Sequence, residues 1–150
     1  MTYPDGVNFG VAIPFVNLLG FELQLFDAGH SRIGYEPQPA HMNAFGGTHG
    51  GALMTLLDVT MATAARSVQK DMGLVTIEMK TSFMHPARGA VTGQGRLMHR
   101  SASMAFTEAT VFDQDGQFYN GNYRTAAARI TGEPAHFRRA GRRACHPCAQ

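Results

Sequence analysis

The residues best suited to chemistry lie in one stretch, where a loop rich in Gly, Asn and His runs directly into an apolar helix. Asn43 and His49 supply polar side chains in the loop, and Gly50 and Gly51 leave the backbone uncovered where the helix is predicted to begin. Asp58 follows eight residues after Gly50 and is the only charged residue of the helix before its final turn. A carboxylate in an apolar helix is costly unless it is paired, hydrogen-bonded or used.

The start of this helix offers a second chemical group, its unpaired backbone N–H groups. First-turn N–H groups have no partner within a helix, and the helix dipole makes that end electropositive, so an oxygen that gains negative charge is stabilised there. Thr48 is the predicted N-cap. Because Gly51, Thr55 and Asp58 share one side at helical spacing, we expect the acid and the free N–H groups to face one cavity. That geometry suits attack of water on an acyl group, with Asp58 as base or nucleophile.

Each of these residues also has a purely structural interpretation. Asp58 could be a structural acid that is hydrogen-bonded to a neighbouring loop or across a dimer. His49 could simply hold the preceding loop, and Asn43 could cap that loop internally instead of pointing into the cavity. The sequence has no phosphate-binding loop, no dinucleotide fingerprint and no Gly-x-Ser-x-Gly elbow, and its histidines are scattered. We therefore expect no nucleotide cofactor and no metal.

Length and composition indicate one globular domain. The chain has 150 residues, a hydrophobic fraction of 44%, a charged fraction of 16% and a net charge of +2. The start lacks the basic and apolar regions of a secretory signal, and no run is long and apolar enough to span a bilayer. We expect a cytoplasmic protein without membrane insertion. The last residues hold Cys145 and Cys148, predicted to be two thiols on a terminal segment because zinc needs four ligands. The basic excess indicates a solvated tail rather than a nucleic-acid surface, and it lies in Arg138, Arg139, Arg142 and Arg143.

The order of the predicted elements favours an α+β fold. One long apolar helix would pack on an antiparallel sheet of about five or six strands, and the short turns after the helix favour a meander. Gly93 and Gly95, inside a predicted strand, suggest a bulge or a bend. Residues 1–131 would form the domain and residues 132–150 a flexible basic tail. Helices are predicted over 8–19 and 52–67, and strands over 21–26, 30–36, 74–84, 90–100, 104–112 and 118–130.

The loop and helix resemble a known family. The pattern Asn43-x-x-Gly46-x-x-His49-Gly50-Gly51-x-x-x-x-Leu56-x-Asp58 is similar to the signature of hotdog-fold acyl-CoA thioesterases of the phenylacetate-degradation (PaaI-like) type. The likeness extends to other segments, namely Ile13-Pro14-Phe15, Phe83-Met84-His85-Pro86-Ala87 and Asp113-x-Asp115-Gly116. The resemblance implies a long central helix wrapped by a curved antiparallel sheet. It also implies a homodimer joined edge to edge, often paired again into a homotetramer, with active sites at the interface.

The resemblance also implies roles for single residues. Asp58 matches the catalytic acid, and Gly50 matches the residue whose N–H polarises the thioester carbonyl. Asn43 matches an asparagine that holds the thioester or the water, and His49 a supporting histidine. Thr76 falls where relatives carry a hydroxyl for the attacking water, expected from the partner subunit.

The implied substrate is an acyl-CoA, either aryl or medium-chain. Gly51 would lie against the substrate, and Arg88, Arg100 and Ser101 would bind the CoA nucleotide, although ordinary solvated turns explain these last three equally well. Ala44 stands where relatives often have Pro, and the last strand departs from the family pattern, so the choice of acyl group is left open. Two alternatives to hydrolysis are a hotdog dehydratase acting on 3-hydroxyacyl thioesters and a non-catalytic acyl-CoA-binding module.

Overall fold

The structure, a computed structural model, describes residues 9–114, 116 and 123–131. Two α-helices and six strands make up this part of the chain, and a single 3-10 turn, Pro39–His41, precedes the long helix. In chain order they are α1 (Pro14–Leu19), β1 (Glu22–Asp27), β2 (His30–Tyr35), α2 (Gly50–Arg66), β3 (Gly73–Glu78), β4 (Val91–Arg100), β5 (Met104–Asp113) and β6 (Tyr123–Thr131). The predicted α+β class is confirmed, with one long helix against one antiparallel sheet.

The sheet has the order β1-β2-β4-β5-β6-β3, and all of its pairs are antiparallel. The prediction of a simple meander after α2 is correct for β4, β5 and β6 but wrong for β3, which lies at the far edge and pairs with β6. The strand predicted over 74–84 is also too long, because β3 ends at Glu78. Residues 79–90 are instead the connection that carries the chain from β3 across to β4, so they cannot stay in the edge ladder.

The core lies between α2 and the concave face of the sheet. Leu56, Leu57 and Met61 of α2 are at most 2% exposed, and they belong to the same buried cluster as Ile33 of β2 and Val111 of β5. Burial of these apolar side chains is the main stabilising contribution that holds α2 against the sheet. Because α2 is fixed along its length, the residues that it carries have fixed positions relative to one another.

Gly93 and Gly95 make room for α2. A Cβ on Gly93 would lie 2.6 Å from Thr60 Oγ1, and one on Gly95 would lie 2.9 Å from the Thr60 carbonyl oxygen. The register between β4 and β5 stays regular at both glycines and shifts only between Leu97 and His99. The expected bulge at the glycines is therefore wrong, and the close approach of the helix explains them instead.

The N-terminal segment differs in part from its prediction. The first helix begins at Pro14, not near residue 8, and ends as predicted at Leu19, where Gly20 with a φ of 73° is the C-cap. The predicted tail, the arginine cluster and the two cysteines lie outside the described residues, so the division at residue 131 stays a prediction. Among the helices that the structure describes, none has the length and hydropathy needed to cross a membrane.

Candidate active site

The loop before α2 is organised by Asn43. Its Oδ1 accepts hydrogen bonds from the backbone N–H groups of Phe45 at 2.9 Å and Gly47 at 3.1 Å. Its own backbone N–H donates to the Gly47 carbonyl at 2.8 Å. Of the two interpretations offered for Asn43, the internal loop cap accounts for the oxygen of its side chain. The side chain nevertheless lines a small cavity at the start of α2, so the loop presents it there.

His49, and not Thr48, caps the helix. The Nδ1 atom of His49 accepts the backbone N–H of Gly51 at 2.9 Å. The prediction that Thr48 is the N-cap is wrong. Thr48 is buried, with 4% of its surface exposed, and its backbone N–H donates to the Ala87 carbonyl at 2.9 Å. The N–H of Gly51 is therefore hydrogen-bonded to the capping side chain. The N–H of Gly50, in contrast, has no hydrogen-bond partner within the described residues. Gly50 is therefore the available donor at this helix end.

A cavity of about 280 Å³ adjoins Gly50. The ring of Phe83 closes one side of it, since a Cβ on Gly50 would lie 3.4 Å from that ring. Phe83 and Met84 are 49% and 62% exposed, which is unusual for large apolar side chains. No carboxylate is present among the described residues that line the cavity, which are Asn43, Thr48, Gly50, Leu53, Phe83, Met84, His85, Pro86 and Ala87.

A second and larger cavity, of about 650 Å³, holds Asp58. The Thr76 hydroxyl donates to Asp58 Oδ1 at 2.6 Å, which joins the middle of α2 to β3. The expectation that Thr76 would come from a partner subunit is wrong for this Asp58, because one chain supplies both residues. The cavity is mostly apolar, and its lining residues are Phe9, Val11, Ala12, Ile13, Asp58, Val59, Ala62, Thr63, Arg66, Gly73, Leu74, Val75 and Thr76.

The two cavities are separate within one chain. Gly50 and Asp58 are eight residues apart on a regular helix. At 1.5 Å per residue, their Cα atoms are about 12 Å apart along the helix axis. The two sets of lining residues have no member in common. The expectation that the acid and the N–H donors of one chain face a single cavity is therefore wrong, and the rigid rise of the helix is the reason.

The structure separates the three residues expected at the CoA nucleotide. Arg88 is exposed and follows Pro86 and Ala87, which line the smaller cavity. Arg100 instead donates to the side chain of Gln69. Ser101 closes a local turn, in which its Oγ accepts the Met104 N–H at 3.1 Å. Neither Arg100 nor Ser101 lines either of the two cavities.

Two residues of these cavities were missed from the sequence. The sequence predicts Phe83 as a strand residue, but β3 ends at Glu78, and the ring of Phe83 lies over Gly50. Arg66 lines the Asp58 cavity, and burial lowers the pKa of its guanidinium below the ordinary value. Its spacing of eight residues from Asp58 on one helix was a signal that could have revealed it. Within the described residues, no group of three or more His, Cys, Asp or Glu could hold a metal ion.

Comparison with known proteins decides the family. A family model described as the thioesterase superfamily matches residues 45–119, which include α2, Asp58 and Thr76. The chain belongs to this superfamily. Two candidate esterases of Saccharolobus solfataricus are similar in sequence, at 33% identity over 70 residues and 24% over 98 residues. These alignments cover 46% and 65% of this chain, and 50% and 65% of the relatives. The alignments thus span between half and two thirds of the length of these two relatives.

Solved structures support the same fold over a longer part of the chain. A candidate thioesterase of Ralstonia eutropha, named as related to phenylacetic acid degradation, has a TM-score of 0.70 and 26% identity, with 79% of this chain and 92% of that chain covered. A conserved protein of Pseudomonas aeruginosa has a TM-score of 0.73 and 24% identity, with 80% and 95% covered. The E. coli PaaI protein has a TM-score of 0.73 at 17% identity, with 80% and 86% covered. The hotdog fold and the PaaI-like resemblance are confirmed.

Proposed function

We propose that this protein is an acyl-CoA thioesterase that hydrolyses an aryl- or medium-chain acyl-CoA to the free acid and CoA. The observation that carries the proposal is the Asp58–Thr76 hydrogen bond inside a largely apolar cavity. An acid beside a hydroxyl group is suited to bind a water molecule and remove a proton from it. The names of the similar proteins, esterases and a thioesterase, support the same reaction class.

We propose further that each active site is shared by two copies of the chain. A reacting carbonyl must lie within about 3 to 3.5 Å of the attacking atom, and the acid and Gly50 of one chain are too far apart to serve it together. A second copy would bring its own Gly50 and Asn43 to the Asp58 and Thr76 of the first. A two-fold axis creates two such sites at once, since its interface is self-complementary.

The free edge of β3 is the surface that we propose for this contact. β3 pairs on one side with β6, and its other side lies at the edge of the sheet. Val75 and Ile77 of β3 are 57% and 56% exposed, although both are apolar. The opposite edge strand, β1, carries two acids, Glu22 and Asp27, whereas β3 carries only Glu78 at its end, and charges on an edge discourage pairing. Homodimers joined through β3, and homotetramers built from them, are thus the proposed assemblies.

The proposed reaction is attack of water on the thioester carbonyl. Asp58 removes a proton from water, and the oxygen of that water bonds to the carbonyl carbon. The backbone N–H of the second copy's Gly50 stabilises the negative oxygen of the tetrahedral intermediate. The carbon–sulfur bond then breaks, and the proton held by Asp58 passes to the CoA sulfur. The second copy's Asn43 and His49 hold the loop and the helix end, as they do within the chain described here.

A nucleophilic role for Asp58 uses the same geometry. Its carboxylate would bond to the carbonyl carbon and release the CoA thiolate, and water would then hydrolyse the resulting anhydride. A single turnover in heavy-oxygen water separates the two routes. Label in the Asp58 carboxylate would show that Asp58 attacked and that water then opened the anhydride at the Asp58 carbonyl, because general base catalysis places the label in the released acid only.

The cavity around Asp58 has the character of an acyl pocket. Ligand pockets of about 300 to 1,000 Å³ suit small molecules, and this one holds about 650 Å³ with mainly apolar walls. Arg88, exposed beside the smaller cavity, is the described cation best placed for the CoA phosphates. The N–H of Gly51 is already hydrogen-bonded to His49, so Gly51 would contact substrate only through its Cα.

The structure gives grounds for preferring hydrolysis to the alternatives. A dehydratase would need a catalytic histidine near the acid. No histidine is present among the described residues that line the Asp58 cavity, and the His49 that a second copy would bring already caps its own helix through Nδ1. A non-catalytic module would need the pocket alone, and it leaves the Asp58–Thr76 pair without a purpose.

The first test is Asp58→Asn assayed by release of CoA thiol from phenylacetyl-CoA and octanoyl-CoA. We expect kcat to fall by about 10² to 10⁴, the usual contribution of a general base. Circular dichroism and melting temperature should show that the variant is folded. Near-normal turnover by a folded Asp58→Asn protein would refute the assigned role of Asp58.

A further inference from the structure

Arg66 places a cation in the Asp58 cavity, and the proposed reaction does not use it. Asp58, Ala62 and Arg66 follow one another at four-residue spacing along α2, and all three line the cavity. The Cα atoms of Asp58 and Arg66 are about 12 Å apart along the helix axis. The cavity therefore has a carboxylate toward one end of this helical stripe and a guanidinium toward the other.

The guanidinium of Arg66 lacks a matching negative charge in the described part of the chain. Its Nη1 donates to the Phe9 carbonyl at 3.2 Å and its Nη2 to the Lys70 carbonyl at 3.3 Å. Its Nε is buried and has no acceptor among the residues that the structure describes. The ion pairs present among the described residues involve Lys80 and Arg96 instead. Since a guanidinium has five N–H donors, several remain for a further acceptor.

The walls between the two charged groups are neutral. Within the described chain, Asp58 and Arg66 are the only charged residues that line this cavity. Val59, Leu74 and Val75 line it as apolar side chains. If the thioester of a substrate lies at Asp58, the middle of its acyl chain would contact apolar walls. The far end of the acyl chain would contact the positively charged guanidinium of Arg66. A carboxylate is the acceptor that best matches an arginine fork, because both oxygens accept parallel N–H groups.

We propose that Arg66 is a specificity-determining residue that selects acyl groups ending in a carboxylate. The preferred substrates are then mono-CoA thioesters of dicarboxylic acids. This inference rests on the proposed hydrolysis at Asp58 and adds the chemical class of the acyl group.

A purely structural role for Arg66 makes a different prediction. Arg66 lies in the last turn of α2, where a cation favours the helix dipole, and it holds the Phe9 carbonyl. Loss of such a role would lower stability and would weaken the hydrolysis of every substrate alike. Loss of a specificity role would change the ratio between two substrates that differ only at the distal end.

The test compares kcat/KM for succinyl-, adipyl-, suberyl- and sebacyl-CoA with kcat/KM for the butanoyl, hexanoyl, octanoyl and decanoyl thioesters of equal length. The native protein should favour the dicarboxylic member most strongly at one chain length, because the distance to Arg66 is fixed. Arg66→Gln should lower that ratio by about tenfold or more, the usual effect of losing a hydrogen bond to a charged group. Arg66→Lys keeps the positive charge but lacks the paired N–H donors of a guanidinium, so it should give an intermediate ratio.

Two control variants test whether the effect belongs to Arg66. Arg32→Gln removes an exposed cation of β2 and should leave the ratio unchanged. Asp5 lies outside the described residues and is the acid nearest to Phe9 in the sequence. Asp5→Asn should also leave the ratio unchanged, whereas a marked rise would show that this chain already neutralises Arg66 and would overturn the proposal.

The remaining outcomes are equally decisive. An unchanged ratio in Arg66→Gln, or an equal preference at every chain length, would overturn the proposal while leaving the thioesterase activity in place. Calorimetric titration of Asp58→Asn with suberyl-CoA and octanoyl-CoA measures the preference without turnover. Absence of all hydrolysis by the native protein, together with tighter binding of suberyl-CoA that Arg66→Gln abolishes, would refute the proposed reaction and support the proposed selectivity.

Discussion

The two cavities along α2 differ in what they offer to a reaction. The smaller one has an unpaired helix N–H at Gly50 and, among its described residues, no carboxylate. The larger one has Asp58, the Thr76 hydroxyl and room for an acyl group, but it lies two turns from the helix end. One cavity can stabilise a negative oxygen, and the other can activate water. In the proposed reaction, each cavity would thus supply half of an active site for thioester hydrolysis.

This difference indicates why the chain would need a second copy of itself. α2 is held along its length by buried contacts, so no ordinary motion brings Gly50 and Asp58 of one chain together. Catalysis requires both groups within contact distance of one carbonyl. A two-fold dimer meets this requirement without moving either group, because it would bring Asp58 of one copy to Gly50 of the other.

The most severe test of this division is complementation between two inactive variants. Asp58→Asn removes the acid, and Gly50→Pro removes the N–H proposed to polarise the carbonyl. Proline suits this position because it is the first residue of α2, and the preceding His49 has the extended φ of −60° and ψ of 135° that proline favours. Each variant alone should lose about 10² or more in kcat. Co-expressed with different tags and purified as a mixed dimer, they should recover about half of the native activity, because one of the two sites is intact.

Gly50→Ala is the matched control for this experiment. It keeps the N–H, and its Cβ would meet the Phe83 ring at an ordinary contact distance of 3.4 Å. Its kcat should stay near the native value. A mixed dimer as inactive as its parents would show that one chain supplies both groups, and the division of the active site between two copies would then be wrong.

Thr76→Val should have the next largest effect, and it acts in the larger cavity alone. Valine has nearly the shape of threonine but cannot donate to Asp58 Oδ1, so the carboxylate loses the hydroxyl 2.6 Å away. We expect kcat to fall by about ten- to a hundredfold, the range for a hydrogen bond to a charged group, with little change in KM. Thr76→Ser retains the hydroxyl and should retain most activity. If the valine variant turns over at the native rate, Thr76 is only a packing residue.

Local patterns in the sequence predicted most of the fold. The apolar run from Ala52 and the alternating strands identified α2 and the sheet, because burial on a helix and on a strand leaves different periods. The position of β3 could not be obtained this way. Its alternation of Val75 and Ile77 resembles that of a strand facing the core, yet these side chains are exposed at an edge. Strand order depends on long-range pairing that periodicity does not record.

The candidate site was predictable as residue types and not as an arrangement. Asp58 stood out because it is charged in an apolar helix, and Thr76 because of the family resemblance. Their direct hydrogen bond within one chain depends on where β3 lies, so the sequence led instead to a partner as the source of Thr76. Similarly, the choice between Thr48 and His49 as helix cap depended on the backbone contact of Thr48 with Ala87, a residue far along the chain.

The smallest expected effect concerns His49, and it tests whether the smaller cavity works through its backbone alone. His49 accepts the Gly51 N–H through Nδ1, so His49→Ala should cost about 0.5 to 2 kcal/mol of folding free energy, the usual cost of losing an N-cap. His49→Asn supplies another good cap and should restore the stability measured by urea denaturation. Because we assign the carbonyl-polarising role to Gly50, His49→Asn should also keep kcat within about tenfold of native, less than the loss of a general acid or base. A folded and stable His49→Asn protein with kcat reduced by orders of magnitude would instead give the imidazole itself a part in the reaction, and the smaller cavity would then contribute a titratable group as the larger one does.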